Sequence, residues 1–217
     1  MLVEIWSDVV CPWCYVAKRH FEEALSLFPH RDEVSVVWRS FELDPTAPVR
    51  SELTMSEVLQ RKYRMTEDQA EEANARMTVL AAGVGLEYHL DRVQRSNTLD
   101  AHRLVHLAAT HDLADATEER LMSAYFTEGA NIGDRSTLVG LAAEVGLDTD
   151  EVERMLAGDD FTAEVRSDEA RAAALGAGGV PFFVIDDRYG VSGAQPADAL
   201  LDVLEQAWAA EREGAER

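Results

Sequence analysis

Both cysteines of this chain lie in one tetrapeptide, Cys11-Pro12-Trp13-Cys14, placed where one backbone pattern ends and another begins. Before it, Leu2 to Ser7 reads as a short strand. After it, Pro12 opens a helix, because proline is tolerated at the first helical position, where its missing N–H costs nothing. Cys14, Ala17, Phe21, Ala24, Leu25 and Phe28 recur at helical spacing until Pro29 stops the run. Val34 to Phe41 is rich in β-branched and aromatic residues and reads as a second strand. The first 41 residues are therefore a βαβ unit with both thiols at the start of its helix.

The middle of the chain changes character. From about Thr54 to Leu175 one helix follows another. Four starts carry a capping-box pattern: Thr54 with Glu57, Thr66 with Gln69, Asp115 with Glu118, and Asp148 with Glu151. Ala70, Ala73, Met77, Leu80 and Ala81 form one apolar stripe, and Leu121, Met122, Tyr125 and Phe126 another. Further helices run near 98–111, 135–145 and 160–175. Gly83, Gly146, Gly158 and Gly176 stand where helix-ending glycines belong. Helices in series with short links make a compact bundle. The end returns to strand: Phe182 to Ile185 is strongly apolar, a turn covers Asp186 to Gly190, and Val191-Ser192 begins a partner strand. Pro196 then starts a last helix with Leu201, Leu204 and Trp208 on one face.

These pieces predict an α/β fold with a large all-helical insertion. Residues 1–50 supply the first half of the sheet domain, 51–175 the insertion, and 176–217 the second half. The length of 217 residues fits one large domain carrying an insertion. With 47% hydrophobic and 28% charged residues, the composition excludes a disordered or collagen-like chain. The net charge of −21 repels phosphate backbones and anionic lipid, so neither nucleic acid nor a membrane surface is an expected partner. No run approaches the roughly 18 apolar residues that span a membrane. Met1 leads straight into the first strand without a basic segment or an apolar signal core, so the reading is a cytoplasmic protein. In a reducing compartment a close cysteine pair is more often catalytic or metal-binding than a structural disulfide.

The position of the pair favours redox chemistry. Residues three apart at a helix start bring their Cα atoms roughly 5–6 Å apart, within disulfide range. Cys11 meets unpaired helix N–H groups and the positive end of the helix dipole. Both stabilise the thiolate, so its pKa should fall below the free value of about 8.5. The thiolate is the attacking species in disulfide exchange. Cys14, one turn deeper on the buried stripe, keeps a higher pKa and resolves the mixed disulfide. The competing reading is half of a zinc site. Zinc takes four ligands, the chain has no second cysteine pair, and His20, His30, His89, His102, His106 and His111 show no zinc-finger spacing relative to the first. A zinc-bridged binding module would have to share its metal between two subunits.

Cys-Pro-Trp-Cys after a strand, a helical block, and then Gly-Val-Pro before an apolar strand together resemble the DsbA-type thioredoxin fold, and more narrowly its FrnE-like branch. The matching stretches are Trp6 to Tyr15, Ser96-Asn97-Thr98 with Ala101-His102-Arg103, Ala124 to Gly129, and Gly179 to Val184. They span nearly the whole chain. The resemblance implies a thioredoxin-like βαβ…ββα fold with Cys11 as nucleophile and Cys14 as resolving cysteine. It makes Pro181 the cis-proline facing them; a trans proline breaking a loop is the plain alternative. With Pro181 cis, the Val180 backbone is free to pair with an extended substrate.

Several positions around the pair stay open. Glu4, mid-strand, either relays a proton from Cys14 or is a partly exposed strand residue. Periplasmic oxidases of the superfamily carry histidine where this chain has Trp13, which predicts a less depressed Cys11 pKa and a less oxidising couple. Trp13, beside Pro12, either offers an apolar face to substrate or packs against the helical block. By analogy with kappa-class glutathione transferases and hydroxychromene-carboxylate isomerases, Asn97 and His102 would line the cleft. The plainer reading makes Asn97 an N-cap and His102 a polar helix residue.

The leading expectation is a dithiol–disulfide oxidoreductase that reduces or isomerises disulfides of a protein or small-molecule substrate. No tightly bound cofactor is expected, glutathione being a candidate co-substrate, and the chain is expected to be a monomer or homodimer. The alternative is a glutathione-dependent isomerase or transferase acting on a small aromatic or polyketide-like substrate. The related isomerases hold serine where Cys11 stands, and a second cysteine has no role in their chemistry.

Overall fold

The computed structural model describes residues 1–215; the final two positions of the expected 176–217 segment lie outside the described residues. Four strands form one mixed sheet: β1 (Leu2–Ser7), β2 (Ser35–Ser40), β3 (Phe182–Ile185) and β4 (Tyr189–Ser192), in the order β2-β1-β3-β4. β1 runs parallel to β2, from Leu2 opposite Ser35 to Ser7 opposite Ser40. It runs antiparallel to β3, from Val3 opposite Ile185 to Trp6 opposite Phe182. The parallel pair needs a crossover, and α1 (Pro12–Leu27) supplies it. The β3–β4 hairpin turns through Asp186 and Asp187, both in the left-handed region at φ 48° and 57°. Such turns favour Asp and Asn among non-glycine residues.

Between β2 and β3 stand α2 (Met55–Tyr63), α3 (Glu67–Gly83), α4 (Leu99–Ala109), α5 (Ala114–Ser123), α6 (Arg135–Glu144), α7 (Thr149–Ala157) and α8 (Thr162–Ala174); α9 (Ala197–Ala215) closes the described chain. The βαβ, helical block, ββα order is thus the order observed. Side-chain alternation along β1 divides the molecule. Val3 and Ile5 join the large core that also holds Cys14, Phe21, Phe183 and Leu204. Trp6 packs on the opposite face with Ala172 of α8 and Val184. Glu4, two residues from Trp6, shares that second face.

Local signals explain most helix ends. Thr54 and Thr66 make complete capping boxes with Glu57 and Gln69. Asp148 accepts from the Glu151 N–H at 2.9 Å. The Asp115–Glu118 pattern is not a cap: α5 begins at Ala114, Leu113 holds the N-cap position, and Glu118 turns into the interior. Gly146 and Gly176 take left-handed conformations after α6 and α8, while Gly83 ends inside α3 and Gly158 is extended. On α9 the fully buried face is Leu200, Leu204 and Ala207, with Leu201 and Trp208 at its margin. Leu80 of the α3 stripe is exposed. After α5 the chain makes one π-helical turn, Ala124–Glu128, a geometry found mostly as single turns and often at functional sites. It ends at Gly129, whose φ is 71° and where an added Cβ would lie 2.8 Å from the Arg92 carbonyl oxygen.

Candidate active site

Cys11 is the N-cap residue of α1, with Pro12 in the first turn, as the missing proline N–H allows. Its carbonyl accepts from the N–H groups of Cys14 and Tyr15 at 3.0 and 3.4 Å, and its own N–H donates to Asp8 at 2.8 Å. Both cysteines are free thiols. Cys11 is 4% exposed and Cys14 2%, so even the first thiol is largely covered. Burial first, and then the hydrogen bond and charge of neighbouring Cys11, push the Cys14 thiol well above its ordinary range. The Cys11 sulfur faces the Val180 carbonyl oxygen at 3.7 Å across the loop before β3. The Val180–Pro181 peptide bond is cis, and the Pro181 carbonyl accepts from the Gly193 N–H at 2.9 Å. Strand, helix start and proline loop thus meet at one sulfur, drawn from opposite ends of the chain.

The helical block supplies the wall behind the motif. Tyr88 donates its hydroxyl to the Pro12 carbonyl at 2.8 Å. Its ring stacks on Phe126 of the π-helical turn, centroids 4.5 Å apart, and on Tyr15 at 6.1 Å. Burial first, and Cys11 second, hold the Tyr88 hydroxyl above its ordinary range. A cleft of about 720 Å³ opens beside Tyr88, between α2, α3 and the segment around Leu90, with Glu57, Glu67, Glu71 and Asp91 on its walls. Trp13 is 47% exposed, so solvent meets much of its side chain.

Three sequence candidates sit differently from their first readings. Glu4 is buried, but it shares the face of Trp6, away from α1, and is held by two guanidiniums: Arg39 at 2.7 Å and Arg171 at 2.6 Å. A carboxylate so paired on the far side of the sheet is no relay for Cys14. Asn97 is not the N-cap of α4, a position Thr98 occupies; its side-chain oxygen accepts from the Leu99 N–H at 2.9 Å and its amide donates to Glu42 and the Pro45 carbonyl. Its partners lie outside the cysteine motif. His102 is buried rather than lining an open cleft, with Nε2 3.5 Å from Asp8 Oδ1. Burial opposes a charge on this imidazole, but nearby Asp8, backed by the charges of Glu118 and Glu42, outweighs it and raises its pKa.

Two further buried acids stand near the motif, Asp8, which the sequence marks only as an acidic neighbour of Cys11, and Glu118. Asp8, fully buried, accepts from the Leu43 N–H at 2.7 Å and from Val10 at 3.4 Å, tying the motif's approach to the chain beyond β2. Glu118 is a buried carboxyl whose pKa burial raises. The only sequence signal for it was its place on the same face as apolar Leu121 and Met122, and the capping-box pattern masked that signal. Among the described residues no three His, Cys, Asp or Glu side chains are grouped to hold a metal ion.

A sheet of this order with a helical block inserted before its third strand, and a Cys-x-x-Cys facing an X–Pro loop, defines the thioredoxin-fold proteins of the DsbA type. The chain belongs to the family of the DSBA-like thioredoxin domain, whose model matches residues 2–205. It is similar to the Streptomyces coelicolor protein SCO1869, described as a probable DsbA oxidoreductase: 45% identity, 96% of this chain and 90% of that one covered, TM-score 0.92. It is 30% identical over 147 residues to the uncharacterized protein YwbO of Bacillus subtilis (strain 168), a match that spans 67% of this chain and 66% of that protein's length, just under two thirds. The cytosolic disulfide reductase DsbM of Pseudomonas aeruginosa, solved with GSH, shares the fold at 19% identity, with a TM-score of 0.68 and coverage of 96% and 100%.

Proposed function

We propose that this chain is a dithiol–disulfide oxidoreductase in which Cys11 attacks and Cys14 resolves, working in the reducing or isomerising direction in the cytosol. The observation that carries the reading is the Cys11 sulfur, at the N-terminus of α1, 3.7 Å from the Val180 carbonyl, with a second free thiol one turn behind it. An extended thiol or disulfide substrate pairs with the Val180 backbone and lies across Trp13. Glutathione is the small thiol expected to serve as co-substrate, and no resident cofactor enters the chemistry. The chain acts as a monomer or homodimer.

Turbidimetric insulin reduction with dithiothreitol tests this directly, run beside Cys11→Ser and Cys14→Ser. Turnover is expected in the wild type and is lost with Cys11→Ser, while Cys14→Ser accumulates mixed disulfides. Wild-type turnover in both variants removes the mechanism. A glutathione-dependent isomerase would instead keep its reaction in Cys14→Ser.

A further inference from the structure

The cleft of about 720 Å³ beside Tyr88 has no role in the exchange reaction as written above. Its charge is of one sign. Glu57 of α2, Glu67 and Glu71 of α3, and Asp91 line it, and no lysine, arginine or histidine does. Glu72, outside the lining, pairs with Arg76 at 2.6 Å, whereas Glu67 and Glu71 have no such partner among the described residues. Glu57 is engaged by the Thr54 N–H at 2.8 Å, and Asp91 lies 4.0 Å from Arg92. A concave surface lined by one sign of charge focuses its field and gathers ions of the other sign.

The walls of the cleft also leave apolar surface uncovered. Helices of globular proteins take most of their stability from packing an apolar face. Yet α2 has no buried residue, and Met55, which lines the cleft, stays half-buried. The helix is held by its Thr54–Glu57 capping box and by α3, where Asn74 donates to Ser56 at 3.0 Å. Across from it, Tyr88 and Leu90 complete the lining.

Tyr88 ties the cleft to the thiols. It forms part of the wall and donates its hydroxyl to the Pro12 carbonyl at 2.8 Å, and Pro12 follows Cys11 directly. A polypeptide whose disulfide meets the Cys11 sulfur therefore has this cleft within reach of its neighbouring residues.

We propose that the cleft seats a lysine- or arginine-bearing segment of a protein substrate, close in sequence to the disulfide that Cys11 attacks. The inference rests on the exchange reading above and names its substrate class: proteins whose reactive cysteine has basic neighbours. The four carboxylates are spread over two helices and a loop. Glu67 and Glu71 alone stand one helical turn, about 6 Å, apart. A small monocation meets one of them. Basic side chains along a polypeptide meet several, and their methylene stems lie on the apolar surface of Met55, Tyr88 and Leu90. Glutathione, a net anion, gains nothing from the cleft and reacts without occupying it.

Two disulfide peptides of one sequence test this, the first with lysines beside its cystine and the second with glutamines there. Each is mixed with reduced protein, and the second-order rate constant for its reduction is measured. At low ionic strength the wild type should favour the lysine peptide about tenfold, and salt should shrink that ratio. Glu67→Gln, Glu71→Gln and Asp91→Asn together should bring it to about twofold. Glu153→Gln, Asp202→Asn and Glu205→Gln remove the same charge from exposed positions on α7 and α9, outside the cleft, and should leave the wild-type ratio. A ratio unchanged in the first triple variant, or lowered equally by the second, overturns the proposal. Binding is read apart from chemistry, by fluorescence anisotropy of labelled peptides carrying serine for cysteine. The lysine form should bind the wild type about tenfold more tightly than the first triple variant. If neither disulfide is reduced while that difference in binding persists, the exchange reading fails and the cleft keeps its cationic ligand. If both disulfides are reduced alike and the lysine form does not bind, the cleft assignment fails and the exchange reading stands.

Discussion

Glu4 and Glu118 are both buried carboxyls, but their neighbours differ. Glu4 is clasped by Arg39 and Arg171, whereas Glu118 has a lysine at a distance and one oxygen with no hydrogen bond. In the fold, burial holds Glu118 protonated above its ordinary value of 4.5. As pH rises past that value, the unfolded chain releases a proton that the folded chain keeps. Stability therefore falls with pH until the folded carboxyl also ionises. His102, raised above its ordinary 6.5, adds loss in the same direction at higher pH. Urea midpoints measured from pH 4.5 upward should thus decline more steeply in the wild type than in Glu118→Gln; equal slopes would mean that the carboxyl is not held protonated. None of this was legible in the sequence. An acidic residue three positions after Asp115 reads as the far half of a capping box, and only the packing of α5 on α1 turns it inward. Glu4 failed for a related reason: alternation along β1 gives two faces, but a sequence does not say which of them α1 will cover.

The elements of the sheet are joined by a charged seam on the face opposite the thiols. Arg39 of β2 reaches Glu4 of β1 at 2.7 Å and Asp168 of α8 at 3.1 Å. Asp168 also accepts from the Ser40 N–H at 3.0 Å and faces His106 Nε2 at 3.1 Å. Breaking such a pair from one side leaves buried charge uncompensated. Arg39→Ala should cost about 3 kcal/mol, the low end for buried pairs, because Arg171 still holds Glu4. Urea unfolding measures it, and a loss below about 1 kcal/mol would place the seam with surface ion pairs. The disulfide exchange proposed for Cys11 and Cys14 should survive, since the seam faces away from α1. Most elements were readable in advance because the period of apolar residues changes from two to about 3.6 at their borders, as at Pro12 and Thr54. The π-helical turn at Ala124–Glu128 was not, because its residues also fit an ordinary helix continued from α5.

At the scale of the whole molecule, 41 acidic residues against 20 basic ones leave a net charge of −21 on one compact chain. The many ion pairs on its surface are short-ranged, but the excess charge repels itself across the molecule. Raising ionic strength to about 0.15 M shortens the screening length to about 8 Å, so the calorimetric Tm should rise between low salt and that condition; a fall would mean that the ion pairs outweigh the repulsion. The topology carries a further consequence. β1 takes one neighbour from residues 35–40 and the other from residues 182–185, and Val180 reaches the Cys11 sulfur from that second segment. A ribosome making this chain releases Cys11 and Cys14 long before it makes the loop that covers them. Throughout that interval the nascent polypeptide carries two uncovered sulfhydryls and half a sheet. Until Val180 and Pro181 emerge, something other than that loop must guard the sulfhydryls.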